Sequence, residues 1–152
     1  MKTIAKNKKA FFEYEFNETA EAGVVLSGNE VKSAKDGHVS LAGSYAILKS
    51  GEIFLINCKI SKYKMAYARE KTNEERSRKL LLTKSQIKKL EGQVSTKGIT
   101  IVPLKMYINK KGLIKIEIGI GRHKKLFDKR EKIKERDLDR EAKREVLDKN
   151  KF

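Results

Sequence analysis

The 152-residue sequence has one cysteine, one proline, two histidines and no tryptophan. Cys58 has no partner in the chain for a disulfide, and zinc-site spacings need several Cys or His residues, so we expect a reducing compartment, no structural metal and no cofactor. Long apolar runs are also missing. No segment resembles the apolar stretch of a secretion signal or approaches the roughly 18 apolar residues of a membrane span. These absences predict a cytoplasmic protein without membrane association.

Sequence patterns typical of catalysis are missing as well. The chain has no H-x-x-x-H metal pattern, no glycine-rich phosphate loop and no nucleophile elbow. Gly119 and Gly121 lie inside a predicted strand, where glycine indicates close backbone approach or a bend. His38, beside Gly37, is expected in a loop. We predict a protein with no catalytic residues, against the alternative of a metal-dependent nuclease.

Positive charge is abundant throughout the chain. Thirty-six Lys and Arg residues oppose 20 Asp and Glu, which gives a formal charge of +16. Charged residues make up 37% of the chain, against roughly 25% in an average globular domain. Residues 122–152 hold 13 of the basic residues and eight of the acidic ones, so the rest of the chain is cationic too. This composition indicates a polyanionic partner.

The C-terminal residues 128–152 contain too few apolar side chains to build a core. Leu138, Ala142 and Val146 recur at i+4 and would line one stripe of a helix, but like-charge pairs at the same spacing would weaken it. We predict a folded unit at residues 1–127, followed by a basic tail that is disordered alone and helical when bound.

Alternating apolar residues predict a mainly β fold. Isoleucines at every second position from Ile114 to Ile120 indicate a strand with one buried face. Similar inward rows are predicted from Phe54 to Ile60 and from Val102 to Ile108. Ile53 and Leu55 indicate that the start of the first of these strands is covered on both sides, and Pro103 indicates an edge or a bulge in the second. Turns at residues 49–51 and 109–112 predict two hairpins. Shorter strand candidates are residues 13–16 and 22–26, separated by residues 17–19.

Two short helices begin at capping boxes, Ser27 to Glu30 and Thr83 to Gln86, in which side chains satisfy the first backbone N–H groups. The polar, basic residues 61–79 are predicted to form a loop. Five or six short strands with two or three short helices predict an OB-fold-like small antiparallel barrel, an architecture that commonly binds nucleic acid.

Aromatic residues lie beside some of the basic clusters. Phe11 and Phe12 follow Lys8 and Lys9, and they could stack on bases or be buried in the barrel. If about 6–10 phosphates are contacted, affinity should fall roughly 10³-fold to 10⁵-fold between about 50 and 200 mM salt.

Four segments of the sequence carry a family pattern. They are EAGVVLSGNEVKS at residues 21–33, RKLLL at 78–82, VPLK with Tyr107 at 102–107, and KKLFDKRE at 124–131. In order and spacing they resemble the SmpB family of bacterial SsrA-binding proteins over nearly the whole chain. The resemblance implies an OB-fold barrel that binds the tRNA-like domain of transfer-messenger RNA and delivers it to stalled ribosomes for trans-translation. The tail would then reach the decoding centre of the small ribosomal subunit and its mRNA channel.

The resemblance also implies functional residues by position. On the RNA-facing surface these are Lys8, Lys9, Glu21, Arg78, Lys79, Leu81, Lys115, Lys124 and Lys125. For the ribosome they are Asp128, Lys129, Arg130, Arg136 and Leu138. The lysines would neutralise phosphates, and Glu21 would accept hydrogen bonds from a base edge or a 2′-OH, or hold Arg78 in position.

The chain departs from the family pattern where Phe11 and Phe12 replace a basic residue and a histidine, and where His123 replaces a glycine. We expect a monomeric, non-enzymatic RNA adaptor. The alternative is a ribosomal structural protein with an rRNA-binding OB barrel and an extension, which the composition also fits.

Overall fold

The structure is a computed structural model that describes residues 2–62 and 74–124. In chain order its elements are β1 (Lys2–Lys6), α1 (Lys8–Glu13), β2 (Tyr14–Val24), α2 (Gly28–Lys35), β3 (Val39–Ser40), β4 (Tyr45–Lys49), β5 (Glu52–Ile56), β6 (Lys59–Ile60), β7 (Arg78–Leu81), α3 (Lys84–Val94), β8 (Ile99–Ile108) and β9 (Ile114–His123). Within these described ranges, every helix is too short or too polar to cross a membrane.

Six strands close into an antiparallel ring in the order β8, β4, β5, β7, β2 and β9, and β9 returns to β8. Strand β1 pairs with the second half of β8, outside the ring. Closing the sheet on itself satisfies strand edges that would otherwise be exposed. The predicted OB-fold-like antiparallel barrel is confirmed, although the described residues contain nine strands rather than five or six.

The predicted isoleucine row of β9 is confirmed, since Ile116, Ile118 and Ile120 are at most 3% exposed and belong to the main core. Both predicted hairpins are present as well. Strand β4 pairs with β5 through a turn at Ser50 and Gly51, where φ is 52° and 74°. Strand β8 pairs with β9 around Gly112.

The predicted inward row from Val102 to Ile108 is confirmed in part. Val102, Leu104 and Met106 are buried, but the bulge in β8 that Pro103 indicated divides them between two clusters. A bulge shifts the alternation by one residue. Ile101 and Met106 therefore face the main core, whereas Val102 packs in a second, smaller cluster.

The row from Phe54 to Ile60 is confirmed at Cys58 and Ile60, which are buried in the main core, and wrong at Phe54 and Ile56. In β5 the buried residues are Ile53 and Leu55, while Phe54 is only half-buried. The strand ends before Asn57, whose φ of 61° interrupts the extended backbone, and Cys58 after it lies in the core.

Both predicted capping boxes are present at α2 and α3. Helix α1 was not predicted from the pattern. Three strand boundaries also differ from the predictions. The two predicted short strands are one continuous, bulged β2; β7 occupies the end of the predicted loop 61–79; and β9 continues to His123, so residues 122 and 123 belong to the barrel.

Candidate nucleic-acid interface

Several predicted RNA contacts meet on the outer face of β7, β2 and β9. Leu81 and Lys115 both pair in register with Gly23, which stands on the strand between them. Residues paired across neighbouring strands project from the same face of a sheet. Leu81 is 52% exposed, so this large apolar side chain stands in solvent beside an ammonium group.

An open groove of about 270 Å³ lies on this face. Gly23 forms part of its floor, and Leu113 and Ile114 from the β8–β9 hairpin line one side with Lys115. A Cβ at Gly23 would lie 3.2 Å from the Cβ of Leu81, so the absence of a side chain allows Leu81 to lean over the strand. The groove combines apolar walls with a cation at its rim.

Glu21 lies two residues before Gly23 and therefore on the same face. It stands opposite Glu117 on β9, and like charges in this position are destabilising. Each carboxylate has its own partner: the Tyr107 hydroxyl donates a hydrogen bond to Oε2 of Glu21, and the Lys105 ammonium lies 3.5 Å from Glu117. Oε1 of Glu21 accepts no hydrogen bond from the residues that the structure describes, so it is available to a donor from outside.

Tyr107 is suited to hold this carboxylate. Burial, and then the hydrogen bond and negative charge of Glu21 with the charge of Glu117, raise the pKa of its phenol. The hydroxyl therefore stays protonated at neutral pH and donates to Glu21. Lys105 stacks its ammonium over the Tyr107 ring, 5.4 Å from the ring centroid.

Arg78 is fully buried, so the prediction that it contacts RNA at the surface is wrong. Its Nε and Nη2 donate to Oε2 of Glu30 at 2.8 and 2.5 Å. Its Nη1 donates to the carbonyls of Cys58 and Arg76, and Nη2 also donates to the carbonyl of Glu74. Arg78 thus connects α2 to the chain around β6 and β7 and has no donor directed at solvent.

Glu30, and not Glu21, is the acid that holds Arg78. It completes the α2 capping box by accepting from Ser27 N–H at 2.9 Å, and it also pairs with Arg76. Burial pushes the pKa of Glu30 upward, but the hydrogen bonds from Ser27, Arg76 and Arg78 outweigh burial and leave that pKa below its ordinary value. The predicted capping role of Glu30 is confirmed, and the same carboxylate also pairs with two arginines.

A second group of predicted contacts surrounds α1. Lys8 and Lys9 are exposed on this helix. Lys124 follows β9, donates its backbone N–H to the carbonyl of Glu13 at 2.9 Å, and places its ammonium 3.4 Å from the carbonyl of Phe11. The topology thus brings together lysines that are more than 110 positions apart in the sequence.

The two groups lie at opposite ends of the β2–β9 ladder. Nine residues separate Tyr14, beside α1, from Gly23, a distance of up to about 30 Å along the strand at about 3.3 Å per residue. Lys79 is exposed on β7 and lies 3.2 Å from Glu52. The other predicted site residues lie outside the described residues: Lys125, Asp128, Lys129, Arg130, Arg136 and Leu138.

Pattern analysis missed the contact of Tyr107 with Glu21 and the position of Leu113 at the groove. The family pattern includes Tyr107 after VPLK but does not indicate which side chain it contacts. Only the bulge after Pro103, which sets the register of β8 against β9, brings the two side chains together.

The arrangement is suited to binding. Within residues 2–62 and 74–124, no group of three or more His, Cys, Asp or Glu side chains could hold a metal ion. The groove face supplies one free carboxylate oxygen, exposed apolar surface and ammonium groups. These are the elements that recognise the 2′-OH, the base edges and the phosphates of RNA.

A family model described as SmpB protein matches residues 4–148. The chain belongs to the SmpB family. Curated relatives named SsrA-binding protein include that of Coprothermobacter proteolyticus, 46% identical over 95% of this chain and 97% of the relative. Those of Helicobacter hepaticus and Halalkalibacterium halodurans are each 50% identical, over 93% and 99% of this chain and 92% and 96% of theirs.

Structural similarity agrees with the family assignment. A chain of a solved structure described as "tmRNA-SmpB: a journey to the center of the bacterial ribosome" is 42% identical to this chain, with a TM-score of 0.67. The match covers 80% of this chain and 85% of the other. The SmpB family model spans both ends of the β2–β9 ladder, so both groups of predicted contacts lie within the family's matched region.

Proposed function

We propose that this SmpB-family chain is a non-enzymatic RNA adaptor of the bacterial cytoplasm. It binds the tRNA-like domain of transfer-messenger RNA and carries it to stalled ribosomes for rescue and tagging of incomplete proteins. The observation that carries the proposal is the groove face, where Glu21, Leu81 and Lys115 meet around Gly23 on a chain of net charge +16. The curated relatives named SsrA-binding protein support the choice of RNA.

On the groove face, the Lys115 ammonium would neutralise a phosphate while the Leu81 side chain packs against a base or ribose. The free Oε1 of Glu21 would accept a hydrogen bond from a base N–H or a 2′-OH. Tyr107 fixes the carboxylate before RNA arrives, which lowers the ordering cost on binding. Around α1, Lys8, Lys9 and Lys124 supply a second contact, and residues 128–152 would contact the ribosome.

The direct test compares the tRNA-like domain of transfer-messenger RNA with an unrelated folded RNA of equal length. The comparison is made at about 150 mM salt, where non-specific phosphate contacts are weakened. We expect a clear preference for the tRNA-like domain, and equal affinities would contradict the proposal. Stoichiometric retention on idle ribosomes after a high-salt wash would instead favour a ribosomal structural protein.

Glu21→Gln tests the role of the groove face. Loss of a hydrogen bond to a charged acceptor costs about 1.5–3 kcal/mol, or roughly tenfold to 150-fold in Kd. We expect this loss in binding of the tRNA-like domain with an unchanged melting temperature. The matched control is Glu91→Gln on the exposed side of α3, which should leave both quantities unchanged. An equal fall in melting temperature for Glu21→Gln would instead assign the residue to the fold.

A further inference from the structure

Phe11 is an exposed aromatic side chain at the end of a row of aromatic rings. It is 56% exposed, the highest value among the large apolar side chains of the described residues. Its ring meets Phe16 edge-on, with centroids 6.1 Å apart, and Phe16 stacks beside Tyr14 at 6.0 Å. Tyr14 in turn lies 4.3 Å from the His123 ring. One side of Phe11 is therefore supported by other rings while the rest of it stands in solvent.

The platform under Phe11 is fixed by buried contacts. Asn7, the N-cap of α1, is only 3% exposed, and its side-chain amide donates to the carbonyls of Leu41 and Pro103 at 3.2 and 2.8 Å. One turn later, Ala10 packs against Val102 in the second core cluster. These contacts hold the short helix against β8, so the direction of Phe11 is set without a ligand.

Glycine in β9 makes room for the ring that supports Phe11. A Cβ at Gly119 would lie 2.6 Å from the ring of Phe16, so Phe16 lies across a position that only glycine leaves open. The result is a flat aromatic surface on the outside of the barrel. An exposed phenylalanine supported in this way has no evident role in stabilising the fold, since its contacts are with rings that are already half-buried.

The charges around Phe11 are predominantly positive. Lys8 lies one turn before it on α1, Lys124 lies beside it, and Lys9 pairs with Glu13 at 3.8 Å. The Lys124 ammonium is 3.4 Å from the carbonyl of Phe11 itself. An exposed ring among ammonium groups matches the chemistry of single-stranded RNA, whose bases stack while the phosphates pair with cations.

We propose that Phe11 is a stacking platform for one unpaired nucleobase of the bound RNA, with the flanking phosphates on Lys8 and Lys124. The inference rests on the proposed RNA-binding function and adds a contact of a different kind to it. It predicts that one base of the RNA, in a loop or a bulge and not in a paired stem, lies on this ring.

The absence of tryptophan from the chain allows a direct test. Phe11→Trp introduces a single indole whose fluorescence is quenched when a base stacks on it. The probes are the tRNA-like domain of transfer-messenger RNA and heparin, a polyanion without bases. We expect quenching by the RNA and not by heparin. The control is Ile47→Trp, at an exposed position on β4, which should report neither probe.

Binding is followed separately by the anisotropy of labelled RNA, so the two hypotheses fail in different ways. Loss of preference for the tRNA-like domain in the anisotropy would contradict the proposed function. Saturation by that RNA without quenching of the indole at position 11, or equal quenching by heparin, would overturn the stacking proposal alone.

Affinity provides a second readout. Stacking on one base is lost in Phe11→Ala, and we expect binding about 5-fold to 150-fold weaker. Phe11→Tyr keeps a ring and should bind as the original chain does, whereas Phe11→Leu keeps apolar area without a ring and should resemble alanine. Unchanged affinity in Phe11→Ala, or full affinity in Phe11→Leu, would overturn the proposal. The melting temperature should change little in these variants, because more than half of the side chain is exposed.

Discussion

The two glutamates of the family segment, Glu21 and Glu30, have different roles. Glu21 is exposed on the groove face, whereas Glu30 is buried in an ion pair with Arg78, nine residues along the same segment. Both are glutamates in a stretch with little charge, and the sequence pattern does not distinguish them. Burial decides the difference, and burial depends on where α2 packs against β7.

Replacing Glu30 tests the buried network. Glu30→Gln keeps the volume but leaves the Arg78 charge buried with carbonyls alone, and loss of one partner of a buried ion pair costs about 3–5 kcal/mol. The free energy of unfolding is measured by urea titration. The control, Glu52→Gln, breaks an exposed pair with Lys79 and should cost at most about 1 kcal/mol. Equal, small losses in both variants would contradict the assigned role of Glu30.

The same variant has a pH signature. Since the pKa of Glu30 in the folded state is lowered from 4.5, its stabilisation is present above that pH and is lost as the pH falls through the folded-state pKa. Glu30→Gln should lack this part of the acid destabilisation.

Burial raises the pKa of the Cys58 thiol to about 11, so the thiol stays protonated at neutral pH. Alkylation of Cys58 at neutral pH therefore reports opening of the core around it.

At the scale of strands, the sequence predicts which segments are β but not always which face is inward. The isoleucine row of β9 is correct because that strand alternates from Ile114 to Ile120 without a bulge. The rows of β5 and β8 are only partly correct because Asn57 and the bulge at Pro103 change the alternation. A bulge is defined by how a strand pairs with its neighbour. The residue pattern of one strand does not show which strand is the neighbour or in what register the two pair.

The glycines of β9 were expected to allow close backbone approach or a bend, and the structure shows close approach. A Cβ at Gly121 would lie 1.9 Å from the carbonyl oxygen of Glu15, so β2 would have to move. We expect Gly121→Ala to destabilise the barrel by about 1–3 kcal/mol or more.

The matched control for that variant is Gly92→Ala, within α3. A Cβ there meets nothing within 4 Å, and alanine in place of a helical glycine should stabilise by about 1 kcal/mol. Thermal or urea unfolding gives both values. Destabilisation of similar size in the two variants would show that the approach of β2 to β9 is not the cause.

For the whole molecule, most of the positive charge lies on residues 1–127, which hold 26 of the 36 basic residues and 12 of the 20 acidic ones. Residues 128–152 contain nearly equal numbers of both signs. The family resemblance implies that the folded unit binds the RNA and that the tail contacts the ribosome. The charge excess on residues 1–127 agrees with the first of these two roles. Charge alone gives no boundary, because basic residues occur along the entire chain.

Truncation before Asp128 tests this division. Because the retained residues carry the groove face, the α1 lysines and most of the net charge, the truncated chain should bind the tRNA-like domain with nearly the same affinity. Each phosphate contact contributes about 0.7–0.9 to the slope of log K against log salt. The slope should therefore change by less than the contribution of one contact. Tagging on stalled ribosomes should fail, since that step is assigned to the tail. A large loss of RNA affinity, or a slope reduced by several contacts, would place RNA binding in the tail and contradict the division.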